Sequence, residues 1–230
     1  MTLFLIRHAQ SANNELYERT GSGIGRVEDP ELTPLGARQA QVLSDYLAEK
    51  SISDGEFSFT HLYSSLMVRA VATATAISRT CSLRVIAWPQ VHEQLGVFLA
   101  DEQTGELIGR PGKSRSYFRK HYPDLQLPES LNEHGWWNRP VETEAQWKQR
   151  ARDFLVELRR RHGSGEDRVA VVTHGGFYHE VILALTGGAG TDGLWFTMHN
   201  TGMTRIDFHP THTSVLYHNR LEHLPPELVS

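Results

Sequence analysis

Three short segments of this 230-residue sequence carry residue types that could bind an anion and do chemistry on it: Arg7-His8, Ser64-Ser65 with Arg69, and His174-Gly175-Gly176. Arginine presents a planar fork of donors matched to phosphate oxygens, and paired glycines let backbone N–H groups and a helix N-terminus approach a negative charge closely. A neutral imidazole is also a nucleophile toward phosphorus, once its other ring nitrogen is held by a hydrogen bond that selects the tautomer. Each segment alone is a weak signal, because an Arg or a His at a strand end is ordinarily a surface residue. The chemistry requires a fold that makes the three meet.

Short apolar runs ending in small or polar residues alternate with helical periodicity along almost the whole chain, the pattern of an α/β fold. Residues 3–6 read as a buried strand that stops at Arg7 and His8, and residues 168–173, with Val169, Val171 and Val172, as another that stops at His174. Residues 61–64 and 84–88 are weaker strand candidates, and 204–208 with 214–218 read as a late pair across a turn containing Pro210. Thr33 predicts a helix N-cap with Pro34 in the first turn, after which Leu35, Gln39, Val42, Leu43, Tyr46 and Leu47 recur at helical spacing. Thr143 with Gln146 predicts a capping box, followed by an apolar stripe of Trp147, Ala151, Phe154, Leu155 and Leu158. The run Arg159, Arg160, Arg161 before Gly163 reads as a solvated helix end that complements the dipole. Open α/β sheets bind ligands outside the C-terminal ends of their strands, so the two histidine-bearing ends point to one crevice.

With 39% hydrophobic and 22% charged residues at this length, disorder is excluded and a single domain over residues 1–230 is expected. The balance of 23 Lys plus Arg against 27 Asp plus Glu, a net of -4, leaves no electrostatic footprint for nucleic acid. The single Cys81 cannot close an intramolecular bridge or build a multi-cysteine zinc site, and it favours a reducing compartment. No apolar segment approaches the ~20 residues that crossing a membrane requires. A cytoplasmic protein without membrane contact is the expectation, with a homodimer left open. Thirteen histidines raise the question of a metal, above all His209, His212, His218 and His223, but no acidic or Cys partner recurs at a ligand spacing.

Short motifs around these residues recur in order along the chain. They run through Arg7-His8-Ala9-Gln10-Ser11, Asn14, and the stretch from Asp29 through Thr33-Pro34-Leu35-Gly36 to Gln39-Ala40. Ser64-Ser65, Arg69-Ala70, Thr73-Ala74, Val172-Thr173-His174-Gly175-Gly176, Asn200-Thr201 and residues 219–224 complete the set. As a set these resemble the histidine phosphatase superfamily, also called phosphoglycerate mutase-like. The resemblance implies a three-layer α/β/α sandwich with a mostly parallel central sheet; residues 96–142, where the α/β alternation breaks down, read as an insertion or lid within the single domain.

The resemblance also implies roles. His8 takes the phosphoryl group; Arg7, Arg69 and His174 clamp its oxygens; Ser11, Asn14 and the Gly175 N–H add secondary contacts. A carboxylate protonates the leaving oxygen and then activates water, and Glu93 is the candidate, with Glu102 and Glu106 as fallbacks and an ordinary surface carboxylate as the other reading. Gly96 follows Glu93 at three positions rather than the family's commoner four, and Ala9 and Gln10 replace a common Gly and Glu. No metal or cofactor is expected, since arginines and histidine supply the positive charge.

Arg110, Lys113, Arg115, Arg119 and Lys120 could hold a second anionic group of the substrate, or belong to a short helix capped by Ser114 and stopped by Pro123 with solvated cations. Trp136 and Trp137 are either a lid wall or lid core. The favoured function is a metal-independent phosphatase acting on a small phosphorylated metabolite through a phosphohistidine. A phosphoglycerate mutase-type transferase and a non-catalytic phospho-ligand module are the alternatives. Retention of His8, Arg7, Arg69 and His174 speaks against the module.

Overall fold

A computed structural model describes residues 1–163, 165–187 and 193–230. In chain order its elements are β1 (Thr2–Arg7), α1 (Ala12–Thr20), α2 (Pro34–Ser53), β2 (His61–Ser64), α3 (Val68–Cys81), β3 (Val85–Ala87), β4 (Phe98–Ala100), β5 (Leu107–Gly109), α4 (Arg115–His121), α5 (Glu144–His162), β6 (Arg168–Thr173), α6 (Gly175–Leu185), β7 (Met203–Phe208) and β8 (Thr213–Arg220). The main sheet runs β3-β2-β6-β1-β7-β8. Its first four strands are parallel, and β7 and β8 extend it antiparallel.

Strand alternation dictates the layers. In β1, Phe4 and Ile6 face one side and Leu3 and Leu5 the other, and β6 divides Ala170 and Val172 from Val169 and Val171 in the same way. Strands apolar on both faces must be covered on both. On the first face Leu43 and Leu47 of α2 and Val71, Ala74 and Ile77 of α3 pack against them. On the second, Phe154, Leu155 and Leu158 of α5 and Phe177, Val181 and Ile182 of α6 close the layer. The result is the expected α/β/α sandwich with a mostly parallel sheet. No described helix is long and apolar enough to cross a membrane.

The helix starts follow the expected chemistry. Thr33 accepts from the Gly36 N–H with Pro34 in the first turn, and Thr143 and Gln146 form a reciprocal capping box. The strand expected over 84–88 is shorter: β3 is an edge strand bonded to β2 and to a single bridge at Gln126, and Arg84 turns its Nε to the Asp124 carbonyl.

The segment 96–142 divides between two tasks. Phe118 of α4, Leu125 and Leu131 belong to the main core, so this part is built into the domain. Val97 and Trp137 instead form a small cluster with Met67 beside the C-terminal ends of the strands, and Trp136 and Trp137 both lie against the buried His92 ring. Trp137 is buried and Trp136 half-buried. In the basic stretch Ser114 caps α4, Lys113 stands over the Tyr117 ring, Arg119 and Lys120 are exposed, and the half-buried Arg110 has its Nε enclosed with no partner among the described residues. Arg115 spends its guanidinium on the carbonyls of Leu131 (2.7 Å) and Pro128 (2.6 Å). The late histidines also separate, with His209 and His212 stacked on each other, His218 on the Tyr178 hydroxyl and His223 on Thr201.

One close approach ties the α2 N-terminus to the first motif. A Cβ at Gly36 would stand 2.0 Å from the Gln10 carbonyl oxygen, so only glycine lets α2 press against this loop. Gly36→Ala is expected to cost about 2 to 3 kcal/mol by overpacking against backbone. A lower urea midpoint checks it; an unchanged midpoint would mean that the loop gives way freely.

Candidate active site

The parallel pairing of β1 with β6 sets Arg7 opposite Thr173, and the His8 N–H continues the ladder to the Thr173 carbonyl at 2.9 Å. The next residue of each strand is a histidine. His8 and His174 are therefore neighbours by register, both buried, with ring centroids 5.0 Å apart. β2 pairs on the other side of β6, so Ser64-Ser65 and α3 bring Arg69 to the same end of the sheet.

Hydrogen bonds fix the state of His8 from both sides. Its Nδ1 lies 2.7 Å from the Ala9 carbonyl oxygen, which can only accept, so Nδ1 carries the proton. Its Nε2 lies 3.0 Å from the Arg69 Nε, which can only donate, so Nε2 keeps its lone pair. Burial, and then the charges of Arg69 and Arg7, push the His8 imidazole well below its ordinary 6.5. His8 is thus a neutral imidazole presenting a basic Nε2.

Two guanidiniums flank it. Arg7 donates to the Met198 carbonyl, while its Nε is buried with no partner among the described residues. Arg69 also touches the Met67 sulfur at 3.1 Å and has Asp29 4.0 Å away as countercharge. Burial lowers both guanidiniums from their usual value without neutralising them. Burial raises Asp29 to about 6, although Arg69 and the Val68 N–H hold it down. His174, also depressed well below 6.5 by burial and Arg69, has neither ring nitrogen bonded to a described group. A neutral His174 offers one N–H to an oxyanion.

Glu93 sits at the N-terminus of α6. Its carboxylate accepts from the N–H groups of Gly176 (3.2 Å), Phe177 (3.0 Å) and Gln94 (2.9 Å), and its charge acts on Arg7 and Arg69. A Cβ at Gly176 would stand 2.5 Å from that carboxylate, which explains the second glycine of the motif. The Gly175 N–H, the first of the helix, donates to no described protein group. Glu102 and Glu106 lie exposed around the turn between β4 and β5, where neither meets these groups.

Sequence reasoning missed the support beneath Glu93. Arg150 of α5 forms a bidentate pair with Glu142 (2.8 and 2.7 Å) and donates to the carbonyls of Gln90 and His92, both at 2.8 Å. A signal was present: position 150 is three residues after Trp147 and four before Phe154, inside the apolar stripe, where a lone cation needs a partner.

The scattered motif residues hold the loop after β1. The Ala9 N–H donates to Thr73 Oγ1 (3.0 Å), the Gln10 N–H to Gln39 Oε1 (2.8 Å), and Asn200 Nδ2 reaches the His8 carbonyl (2.9 Å). Ser11 and Asn14 form the reciprocal capping box of α1, so the Asn14 amide oxygen is occupied and its NH2 remains for a ligand. The histidine-bearing loop is thus held through its backbone groups by the side chains of Thr73, Gln39 and Asn200. His61, His162 and Asp167 meet elsewhere, at the N-terminal ends of β2 and β6, where His162 bonds Asp167 and Tyr63.

A family model described as the histidine phosphatase superfamily, branch 1, matches residues 3–220. A putative phosphoserine phosphatase 2 from Hydrogenobacter thermophilus is 30% identical over 229 residues, 96% of each chain. A metal-independent phosphoserine phosphatase from Arabidopsis thaliana is 27% identical over 188 residues, covering 80% of this chain and 68% of the relative. Among solved structures, phosphoserine phosphatase from Entamoeba histolytica, in complex with phosphoserine, superposes with a TM-score of 0.61 at 21% identity, covering 97% and 99% of the two chains.

The buried neutral imidazoles set a pH dependence. His8, His92 and His174 have folded values well below the unfolded 6.5, so unfolding takes up protons as pH falls below about 6.5. Each imidazole lowers stability as pH falls through that window, opposed by Asp29, which gains its proton first in the native state. Urea midpoints should fall from neutral toward acid pH, while imidazole NMR shows no protonation of His8. A His8 titration near 6.5 would refute the neutral assignment.

Proposed function

This chain belongs to the histidine phosphatase superfamily, and from that premise we propose that it is a metal-independent phosphatase of small phosphomonoester metabolites, working through a phosphohistidine at His8. The observation that carries the reading is the two-sided fixing of His8, with Nδ1–H on the Ala9 carbonyl and a lone pair on Nε2. The phosphoserine phosphatases among the relatives support a small substrate bearing a phosphomonoester.

A phosphoryl group entering between the arginines takes the Arg69 Nε–H that now rests on Nε2 and frees the lone pair. Nε2 attacks phosphorus, the P–O bond to the leaving group breaks, and Glu93, which first takes up the proton of the bound phosphomonoester monoanion, passes it to that oxygen, releasing the alcohol. Glu93 then takes a proton from water, the hydroxide attacks phosphorus, and the P–N bond breaks with its electron pair returning to Nε2. Negative charge on the equatorial oxygens is met throughout by Arg7, Arg69, the His174 N–H, the Asn14 NH2 and the Gly175 N–H. These groups are positioned before substrate arrives, so little reorganisation is needed as charge develops. The positive charge opposite the phosphoryl group is supplied by side chains. With its lone Cys81, the protein is assigned to the cytoplasm, with a small phosphorylated metabolite as its partner.

Purified wild type should hydrolyse p-nitrophenyl phosphate in excess EDTA, and His8→Ala should lose that activity while keeping its fold by circular dichroism. EDTA-sensitive turnover, or full activity in His8→Ala, would overturn the reading. Glu93→Gln should slow alkyl phosphates by about 10²-fold or more but p-nitrophenyl phosphate far less in the first step, because p-nitrophenolate leaves without a proton. Equal slowing in single-turnover measurements would remove Glu93 as the acid.

A further inference from the structure

A second cluster of ligating side chains stands at the opposite end of the sheet from His8. His61 opens β2, His162 closes α5 and Asp167 immediately precedes β6, so three separate segments deliver them to one place. The parallel pairing of β2 with β6 sets His61 opposite Val169 and so close to Asp167. Helix α5, packed on the sheet face that carries Tyr63 and Val169, brings His162 beside them. The six residues of β6 separate the cluster from His174, a span of about 20 Å.

One donor atom from each residue lies within 4.8 Å of the other two. His162 Nδ1 is 2.8 Å from one Asp167 oxygen, and His61 Nδ1 is 4.0 Å from the other. Ligands held ~2.0–2.2 Å from a tetrahedral ion stand about 3.4 Å apart, so small side-chain rotations close these distances on an ion. The second nitrogen of His162 is held as well. Its Nε2 lies 3.1 Å from the hydroxyl of the buried Tyr63, the kind of outer partner that fixes ring orientation in a metal-ligating histidine. The His162 side chain is buried, whereas those of His61 and Asp167 are 34% and 31% exposed, which leaves a fourth ligand position open to water. Among the described residues Asp167 has no lysine or arginine within ion-pair distance, and the groups that hold its carboxyl below the usual range are His162, His61 and Thr60. Neutral imidazoles give that carboxylate no permanent countercharge.

We propose that His61, His162 and Asp167 bind a divalent transition-metal ion of the Zn²⁺ class, which clips the C-terminal end of α5 to the starts of β2 and β6. Two imidazole nitrogens and one carboxylate oxygen favour Zn²⁺ over Mg²⁺ or Ca²⁺, which take oxygen ligands. The protons balance. An ionised Asp167 can only accept, so His162 Nδ1 carries the proton in the free protein. On binding, Nδ1 gives up that proton to reach the ion, while Nε2 takes one up and donates it to the Tyr63 oxygen, with no net release. His61 gives up its contact with the Thr60 hydroxyl (2.9 Å), an exposed bond that water replaces. The ion touches nothing in the phosphoryl site, so the inference stands apart from the phosphatase reading and leaves turnover in EDTA unaltered.

The test titrates Zn²⁺ alone into protein stripped with EDTA and then freed of it, reading affinity by isothermal calorimetry and Tm by scanning calorimetry. Wild type should bind a tight equivalent and gain about 5 °C or more in Tm at roughly a hundredfold excess over Kd. His61→Ala and Asp167→Asn, both at partly exposed positions, should bind that equivalent at least about tenfold more weakly and lose the Tm gain. Tyr63→Phe, which keeps the ring and removes only the outer partner, should weaken it by about tenfold. His8→Ala and His212→Ala remove imidazoles at two other places where Zn²⁺ could settle, and both should keep the equivalent. No uptake by wild type would overturn the proposal, as would unchanged affinity and Tm gain in His61→Ala and Asp167→Asn. Loss of the equivalent in His8→Ala or His212→Ala instead, or an equal response to Mg²⁺, would overturn it too. Because the readouts are binding and Tm, they decide the matter whether or not the protein hydrolyses phosphomonoesters.

Discussion

The register of β1 against β6 is the constraint on which the rest depends. Because Arg7 pairs with Thr173 in a parallel ladder, the residues that follow must leave the sheet side by side, and both are histidines. A shift of one residue would turn every side chain of β1 to the opposite face and bury Arg7 and Thr2 patterns against the wrong core. That register is enforced by two apolar faces rather than one, since Phe4 and Ile6 pack under α2 and α3 while Leu3 and Leu5 pack under α5 and α6. The geometry of the site is thus specified by hydrophobic burial far from any phosphate.

Given that placement, electrostatics selects the chemistry. Two buried guanidiniums beside an imidazole make its protonation unfavourable, and burial acts in the same direction. The cations that would clamp a phosphoryl group thereby also keep the nucleophile unprotonated. The Ala9 carbonyl then decides which nitrogen reacts. Asp29 and Glu93 prevent the arginines from standing as an uncompensated cluster, and Glu93 is itself held by backbone N–H groups at the α6 N-terminus. Arg150 reaches from α5 to the carbonyls on either side of Val91, so the segment leading into Glu93 is carried by a buried ion pair.

Much of this was legible in the sequence, for physical reasons that differ by element. Buried strands announce themselves by continuous apolar runs, and β6 falls on residues 168–173 as read. Thr33 and Thr143 are capping residues with local partners, so the starts of α2 and α5 needed no tertiary information. His8, Arg7, Arg69 and His174 are brought together at one end of the sheet because the motif lies at strand ends that the topology makes adjacent. The illegible parts are long-range. Arg115 looked like a free cation because its acceptors are carbonyls thirteen and sixteen residues away, and Phe118, Leu125 and Leu131 within 96–142 give no local sign that they join the main core. The Asn14 side chain was read as a phosphate donor, but half of it belongs to the α1 cap.

The claim that His8 Nε2 carries the phosphoryl group is tested most directly by rapid-quench labelling with a ³²P-phosphomonoester under alkaline conditions, which preserve phosphohistidine. A transient, acid-labile label that maps to His8 and decays as inorganic phosphate appears is the expected result. Turnover with no chain-bound label at any time, or a label on another residue, would contradict it.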